Sequence, residues 1–120
     1  MLIIRIHIPP GYTPELKETI RQAVKDAALA ALTIEVTDHL YVSVHEAHGR
    51  IGDGLPTVII DTEPLADAER KQALASQVSR AVASNAGATF EQVYLLIRET
   101  VAENHFVGVA PERDPSDSFF

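Results

Sequence analysis

The stretch LIIRIHI occupies residues 2–8, and a comparable stretch, PTVIIDT, occupies residues 56–62. Each is followed by a turn that contains proline, then by a helix-like run and a second apolar stretch. Those second stretches are LYVSVHE at 40–46 and VYLLIRE at 93–99. This order indicates two copies of one strand–helix–strand unit, repeated after roughly 54 residues.

The two helix-like runs carry start signals, stop signals and buried stripes. Thr13 before Pro14 is typical of an N-cap and first helical position, and the second helix is expected to start near Asp67. Asn85 and Gly87 supply its stop signal. Apolar residues recur at helical spacing at Leu16, Ile20, Val24, Ala27, Ala28, Ala31 and Leu32, and again at Leu74, Val78, Ala81 and Val82.

The predicted fold is α+β, a β-α-β-β-α-β chain with a four-stranded sheet and two helices on one face. A helix long enough to cross the sheet makes the two strands of each half parallel. We expect one domain over residues 1–120, with halves at about 2–55 and 56–112 and a tail at 113–120. Residues 58–60 and 93–97 are apolar on both faces, so the second face needs a cover, which a symmetric oligomer would supply.

Composition narrows the classes of protein and site. Seventeen acidic and ten basic residues give a net charge of −7, which argues against nucleic acid as a partner. The chain has no cysteine, and its five histidines lack ligand spacing, so we expect neither a disulfide nor a metal site. No apolar run reaches the roughly 18–20 residues that a membrane span needs, and no signal peptide is evident. The sequence predicts a soluble, cytoplasmic protein without a cofactor.

Three segments resemble the tautomerase superfamily, in particular its 4-oxalocrotonate tautomerase and malonate semialdehyde decarboxylase groups. They are IIRIHIPPGYTPELKETI at 3–20, VTDHLYVSVHE at 36–46 and VYLLIRETVAENHFVGV at 93–109. The resemblance covers about residues 2 to 112 and implies a homotrimer whose sheets surround a central barrel. It also implies chemistry on small 2-oxo or enol carboxylates.

The hallmark of these relatives is an N-terminal proline whose secondary amine acts as base or acid. This chain has Leu2 after Met1, and Pro56, the matching proline of the second half, is internal. An internal proline nitrogen is a tertiary amide without a basic lone pair, so Pro56 is predicted to be structural. The arginines that bind the substrate anion in the relatives are replaced by Tyr12 and Tyr41.

The predicted catalytic residues are Met1 and Asp38. The α-amine of Met1 has an ordinary pKa near 7.7–8.0, and an apolar pocket would keep it neutral and reactive. Asp38 matches the catalytic aspartate of the decarboxylases; alternatively it is a loop residue bonded to its own backbone. The residues predicted to contact a small carboxylate ligand are Leu2, Tyr12, Tyr41, Arg98, His105 and Phe106.

Alternatives remain open for several of these residues. Arg98 can replace a lost anion-binding arginine or form an ion pair with one of the many acids. The tyrosines can donate to a substrate or pack at a subunit interface.

Three functions remain open for the whole chain. The first is an isomerase or decarboxylase with weak or no proline-dependent tautomerase activity. The second is a non-catalytic trimeric binding or scaffold protein, and the third a ferredoxin-like regulatory domain.

Overall fold

The computed structural model describes residues 2–32, 40–46, 56–65, 67–104, 106 and 108. The order of elements confirms the predicted β-α-β-β-α-β chain. The elements are β1 (Leu2–Ile8), α1 (Pro14–Leu32), β2 (Leu40–Glu46), β3 (Thr57–Thr62), α2 (Ala68–Ala86) and β4 (Tyr94–Glu99), with short 3-10 turns at Phe90–Gln92 and Ala102–Asn104. None of the helices in these ranges has the length and apolar character that crossing a bilayer demands.

The four strands form one mixed sheet in the order β2-β1-β3-β4. Strands β1 and β2 are parallel, as are β3 and β4, because a helix crosses over between the members of each pair. The two halves meet where β1 and β3 run antiparallel, with Arg5 opposite Ile59 at the middle of the ladder. The start of β1 and the start of β3 therefore lie at opposite ends of the sheet.

The hydrophobic core lies between one face of the sheet and the two helices. Side chains alternate along a strand, so every second residue of β1 and β3 faces the helices. A fully buried aliphatic side chain contributes about 1.5–3 kcal/mol to folding. The largest fully buried side chains of the described residues include members of both predicted helical stripes: Ile4, Ile6, Ile8, Ile20, Val24, Val58, Ile60, Leu74, Val78 and Val82.

The helix ends follow the sequence signals. The Thr13 Oγ1 accepts a hydrogen bond from the Leu16 amide at 3.1 Å, and the Asp67 carboxylate accepts one from the Glu69 amide at 2.8 Å. Gly87 ends α2 in the left-handed region at φ 69°, and its amide donates to the carbonyl of Ala83. The predicted N-cap at Thr13, the predicted helix start near Asp67 and the predicted stop are confirmed.

Each helix also receives a cap from the other half of the chain. The Tyr12 hydroxyl donates to the carbonyl of Ala86 at 2.7 Å, at the end of α2. The Arg70 guanidinium donates to the carbonyl of Leu32 at 2.8 Å, at the end of α1. The last carbonyls of a helix lack intrahelical donors, so both bonds satisfy groups that would otherwise need water.

The duplication is visible in a repeated ion pair. Lys17 near the start of α1 contacts Glu46 at the end of β2 at 2.7 Å, and Lys71 near the start of α2 contacts Glu99 at the end of β4. The hydrogen bond from Lys71, and then that from the Leu65 amide, lowers the pKa of Glu99. Exposed pairs of this kind contribute little energy, so their value here is as evidence of the repeat.

Candidate functional site

The face of the sheet away from the helices has no covering layer within the described chain, and we call it the open face. Strand alternation and the pairing register decide which residues it carries. They are Ile3, Arg5 and His7 from β1, Tyr41, Ser43 and His45 from β2, Thr57, Ile59 and Asp61 from β3, and Tyr94, Leu96 and Arg98 from β4. Tyr94 is 64% exposed and Leu96 41%, although side chains this apolar are usually covered.

One end of the open face holds an ion cluster centred on Asp61. Arg98, directly opposite on β4, donates from Nε and Nη2 to the two carboxylate oxygens at 2.8 and 2.9 Å. Arg5 donates from Nη1 to Oδ2 at 2.8 Å from the other side. The Asp61 side chain is 22% exposed, against 40% for Arg5 and 52% for Arg98. Asp61 is thus the sheltered centre of a cluster whose cations are more open to solvent.

The charge state of Asp61 follows from these bonds. The two hydrogen bonds from Arg98 lower the pKa of Asp61, the one from Arg5 lowers it further, and partial burial opposes both. The carboxyl is therefore ionised at neutral pH and cannot serve there as a proton donor. With two guanidinium groups and one carboxylate, the cluster carries one net positive charge.

A pocket of about 290 Å³ opens beside this cluster, at the end of the sheet where β1 starts. Its lining combines charged, polar and apolar side chains: Ile3, Arg5, Asp61, Thr62, Thr100, Asn104 and Phe106. The Thr100 amide donates to the carbonyl of Thr62 at 2.8 Å, which continues the β3–β4 ladder past β4. That bond holds Thr100 beside the end of β3, and Thr100 and Asn104 both line the pocket.

The pocket suits a small organic anion with an apolar part. A guanidinium binds a carboxylate through paired N–H donors, and the guanidinium-bearing Arg5 lines the pocket. Ile3 and Phe106 offer apolar contact, while Thr100 and Asn104 offer hydrogen-bonding groups. Most ligand pockets combine apolar walls with a few polar groups in this way.

Four of the predicted site residues lie at this end of the molecule, but they differ in their relation to the pocket. Phe106 lines it, and Tyr41 lies on the open face directly beside Ile3. Arg98 reaches the pocket only through Asp61, so its contacts favour the ion-pair alternative that the sequence left open. Leu2 sits at the start of β1, but its side chain is buried in the core on the opposite face.

Of the other predicted residues, the structure describes Tyr12, and it does not lie at the pocket. Tyr12 lies in the helix layer, packs against the core and donates its hydroxyl to the carbonyl of Ala86. Met1, Asp38 and His105 lie outside the described residues.

Sequence reasoning missed Arg5 and Asp61 as site residues. Both were visible in strand patterns, but they are in different halves of the chain and meet only through the β1–β3 ladder. The available signal was an acidic residue, Asp61, that points outward in an otherwise apolar strand. Only the register between β1 and β3 shows that Arg5 lies close to it.

The opposite end of the open face carries two histidines and a serine. The rings of His7 and His45, which are partners across β1 and β2, stack with centroids 5.3 Å apart. The Oγ of Ser43 lies 2.7 Å from the Nε2 of His45. Partial burial, then His45 and Arg5, lower the pKa of His7, so it is neutral at pH 7. Within the described ranges, no three His, Cys, Asp or Glu side chains gather as metal ligands do.

Comparison with protein-family models finds a match to the second half of the chain. A family model described as "Tautomerase enzyme" matches residues 56–113, which begin at Pro56 and contain β3, α2 and β4. A search of curated protein sequences finds no match.

Solved structures share the fold of the whole described chain. A fused 4-OT that forms an asymmetric trimer has a TM-score of 0.79 at 19% identity, covering 88% of this chain and 92% of its own. A protein inactivated by 2-oxo-3-pentynoate has a TM-score of 0.81 at 17% identity, covering 89% and 92%. Malonate semialdehyde decarboxylase has a TM-score of 0.72 at 14% identity, covering 88% and 90%. At such identities the likeness is one of fold.

Proposed function

We propose that this chain, as a member of the tautomerase superfamily, binds a small 2-oxo or enol carboxylate in the pocket beside β1 and acts on it there. The action would be a proton transfer or the cleavage of a carbon–carbon bond, without the usual N-terminal proline. The observation that carries the proposal is the pocket itself, where a net positive ion cluster meets an apolar wall beside the first strand. The family match over residues 56–113 and the shared fold support it.

Met1 and Asp38 remain the proposed catalytic residues. The reason for proposing Met1 is its nearness in sequence to Ile3, which lines the pocket. A neutral α-amine there would accept a proton or form an imine with a 2-oxo group. Asp38 would donate a proton or position a water, a role that the low pKa of Asp61 denies to that carboxyl.

Assembly into a homotrimer through the open face is part of the same proposal. Tyr41, Tyr94 and Leu96 are large exposed side chains on that face. The fused 4-OT with this fold forms a trimer, and three copies sharing one open face would cover those side chains.

A turnover assay tests the catalytic proposal. Phenylenolpyruvate and related 2-oxo acids are offered to the wild type, to Asp38→Asn and to Leu2→Pro, which is expected to lose Met1 and expose a proline. Activity in the wild type that falls with Asp38→Asn supports the proposal. Turnover by the Leu2→Pro variant alone means an intact pocket and a native protein with other chemistry.

Chemical labelling tests the amine independently. Conjugate addition of an amine to 2-oxo-3-pentynoate moves its proton to carbon, so the protein gains the full mass of the reagent. We expect that gain on the peptide containing Met1, and labelling elsewhere only would contradict its role.

A non-catalytic binding or scaffold protein is the second candidate. The observation that favours it is that Asp61 already holds both arginines, as a purely structural ion cluster would. Ligand binding without turnover by the wild type or Asp38→Asn would select it.

A further inference from the structure

We propose that Arg5 binds the substrate carboxylate and that Asp61 restricts the pocket to monocarboxylates. The inference rests on the proposed function, because it assigns the substrate class of that pocket. It concerns two residues that are not in the predicted site and are brought together by the β1–β3 ladder.

Arg5 has the position and the donors for this role. It lines the pocket, and within the described residues its guanidinium makes one hydrogen bond, from Nη1 to Asp61. A guanidinium has five N–H donors in a planar fork, so donors remain for a ligand. Asp61 also fixes the orientation of the group before a ligand arrives, which reduces the entropy lost on binding.

Arg98 has a different role from Arg5. Two of its nitrogens bind both oxygens of Asp61, and it is absent from the pocket lining. It therefore acts as a positioning residue that holds the Asp61 carboxylate against Arg5. The ligand meets Arg5 and Asp61, and it meets Arg98 only through them.

The net charge of the ion cluster determines whether the pocket binds monocarboxylates or dicarboxylates. A single ligand carboxylate neutralises the one net positive charge of the cluster. A second carboxylate on a ligand of similar length would have to lie near the ionised Asp61 or against Ile3 and Phe106. Both places are unfavourable, because like charges repel and an apolar wall cannot replace the water around an anion. The pocket should thus take 2-oxo or enol monocarboxylates with an apolar end.

Calorimetric titration with two matched acids tests this. The acids are 2-oxopentanoate and 2-oxopentanedioate, which have the same chain length and differ by one carboxylate. The wild type should bind the monocarboxylate on the order of tenfold more tightly, the scale of one unfavourable charge contact. Asp61→Asn should shrink this ratio by strengthening binding of the dicarboxylate, a shift that a merely structural role would not produce.

Arginine variants complete the test. Arg5→Gln should weaken binding of 2-oxopentanoate by on the order of tenfold, and Arg5→Lys by less, since it keeps the charge without the fork. Arg21→Gln is the matched control, because Arg21 makes its ion pair with Glu18 on the exposed side of α1. Thermal unfolding of each variant separates loss of binding from loss of fold.

The outcomes distinguish failure of this inference from failure of the catalytic proposal. Wild-type affinity in Arg5→Gln, an unchanged ratio in Asp61→Asn, or a wild type that binds neither acid overturns the inference. The expected binding pattern without turnover upholds it and overturns the catalytic proposal.

Discussion

At the residue scale, Tyr12 shows how a plausible substrate contact becomes a structural one. Its place after the first turn suggested a hydroxyl offered to a ligand, because the resemblance noted in the sequence implies an anion-binding position there. In the fold that turn belongs to the helix layer, so the hydroxyl reaches the carbonyl of Ala86 instead. The sequence could show which residue follows the turn, but not which face of the sheet the turn approaches.

Tyr12→Phe tests this assignment, because it removes only the hydroxyl. A hydrogen bond of this type contributes about 0.5–1.5 kcal/mol, so we expect the free energy of unfolding to fall by that amount in chemical denaturation. Affinity for 2-oxopentanoate should stay at the wild-type value. A variant of wild-type stability with weakened ligand binding would return Tyr12 to the binding site.

At the element scale, the repeat made the architecture predictable. Strand patterns, the N-cap at Thr13, the helix start near Asp67 and the stop at Gly87 are local signals, and each is where the sequence predicts it. Parallel pairing within each half followed from the length of the crossovers. The antiparallel β1–β3 register was not predictable from one sequence, because it joins the halves, and it alone brings Arg5 to Asp61. The site was therefore predicted less fully than the fold.

Gly87 offers a test of one such local signal. Its φ of 69° is a conformation that disfavours a Cβ, although nothing lies within 4 Å of the place that a Cβ would occupy. Gly87→Ala should lower the free energy of unfolding by about 1–2 kcal/mol through backbone strain alone. Gly87→Asn is the matched control and should cost less, since asparagine tolerates this region. Equal loss in both variants, measured by denaturation, would point to side-chain packing instead.

At the scale of the whole molecule, the open face carries a group of charged or titratable side chains at each end of the sheet. One end holds Asp61, which is bound by Arg5 and Arg98, and the other holds the stacked rings of His7 and His45. Arg5 lies at the middle of the β1–β3 ladder, between Asp61 and the two histidines. Asp61 at the first end is ionised at neutral pH, whereas His7 at the second end has a lowered pKa and stays neutral until acid reaches it. Acid should thus add positive charge to a face that already carries Arg5 and Arg98 against a single carboxylate.

The last prediction concerns pH, and its sign follows from His7. Partial burial, then His45 and Arg5, lower the pKa of His7 in the folded protein, whereas in the unfolded chain it is near 6.5. Between these two values the unfolded state binds more protons, so stability falls as the pH drops below about 6.5. A trimer that covers the open face would exclude more water from His7, so acid should also favour dissociation.

Sedimentation velocity and thermal unfolding between about pH 7.5 and 5.5, above the range in which carboxylates titrate, check this prediction. His7→Gln removes the titrating ring and leaves the other four histidines in the sequence. We expect the wild type to lose stability and dissociate on acidification, and the variant to show a flatter profile. Parallel profiles would mean that the acid response arises away from the stacked pair, and a monomer throughout the range would refute assembly through the open face.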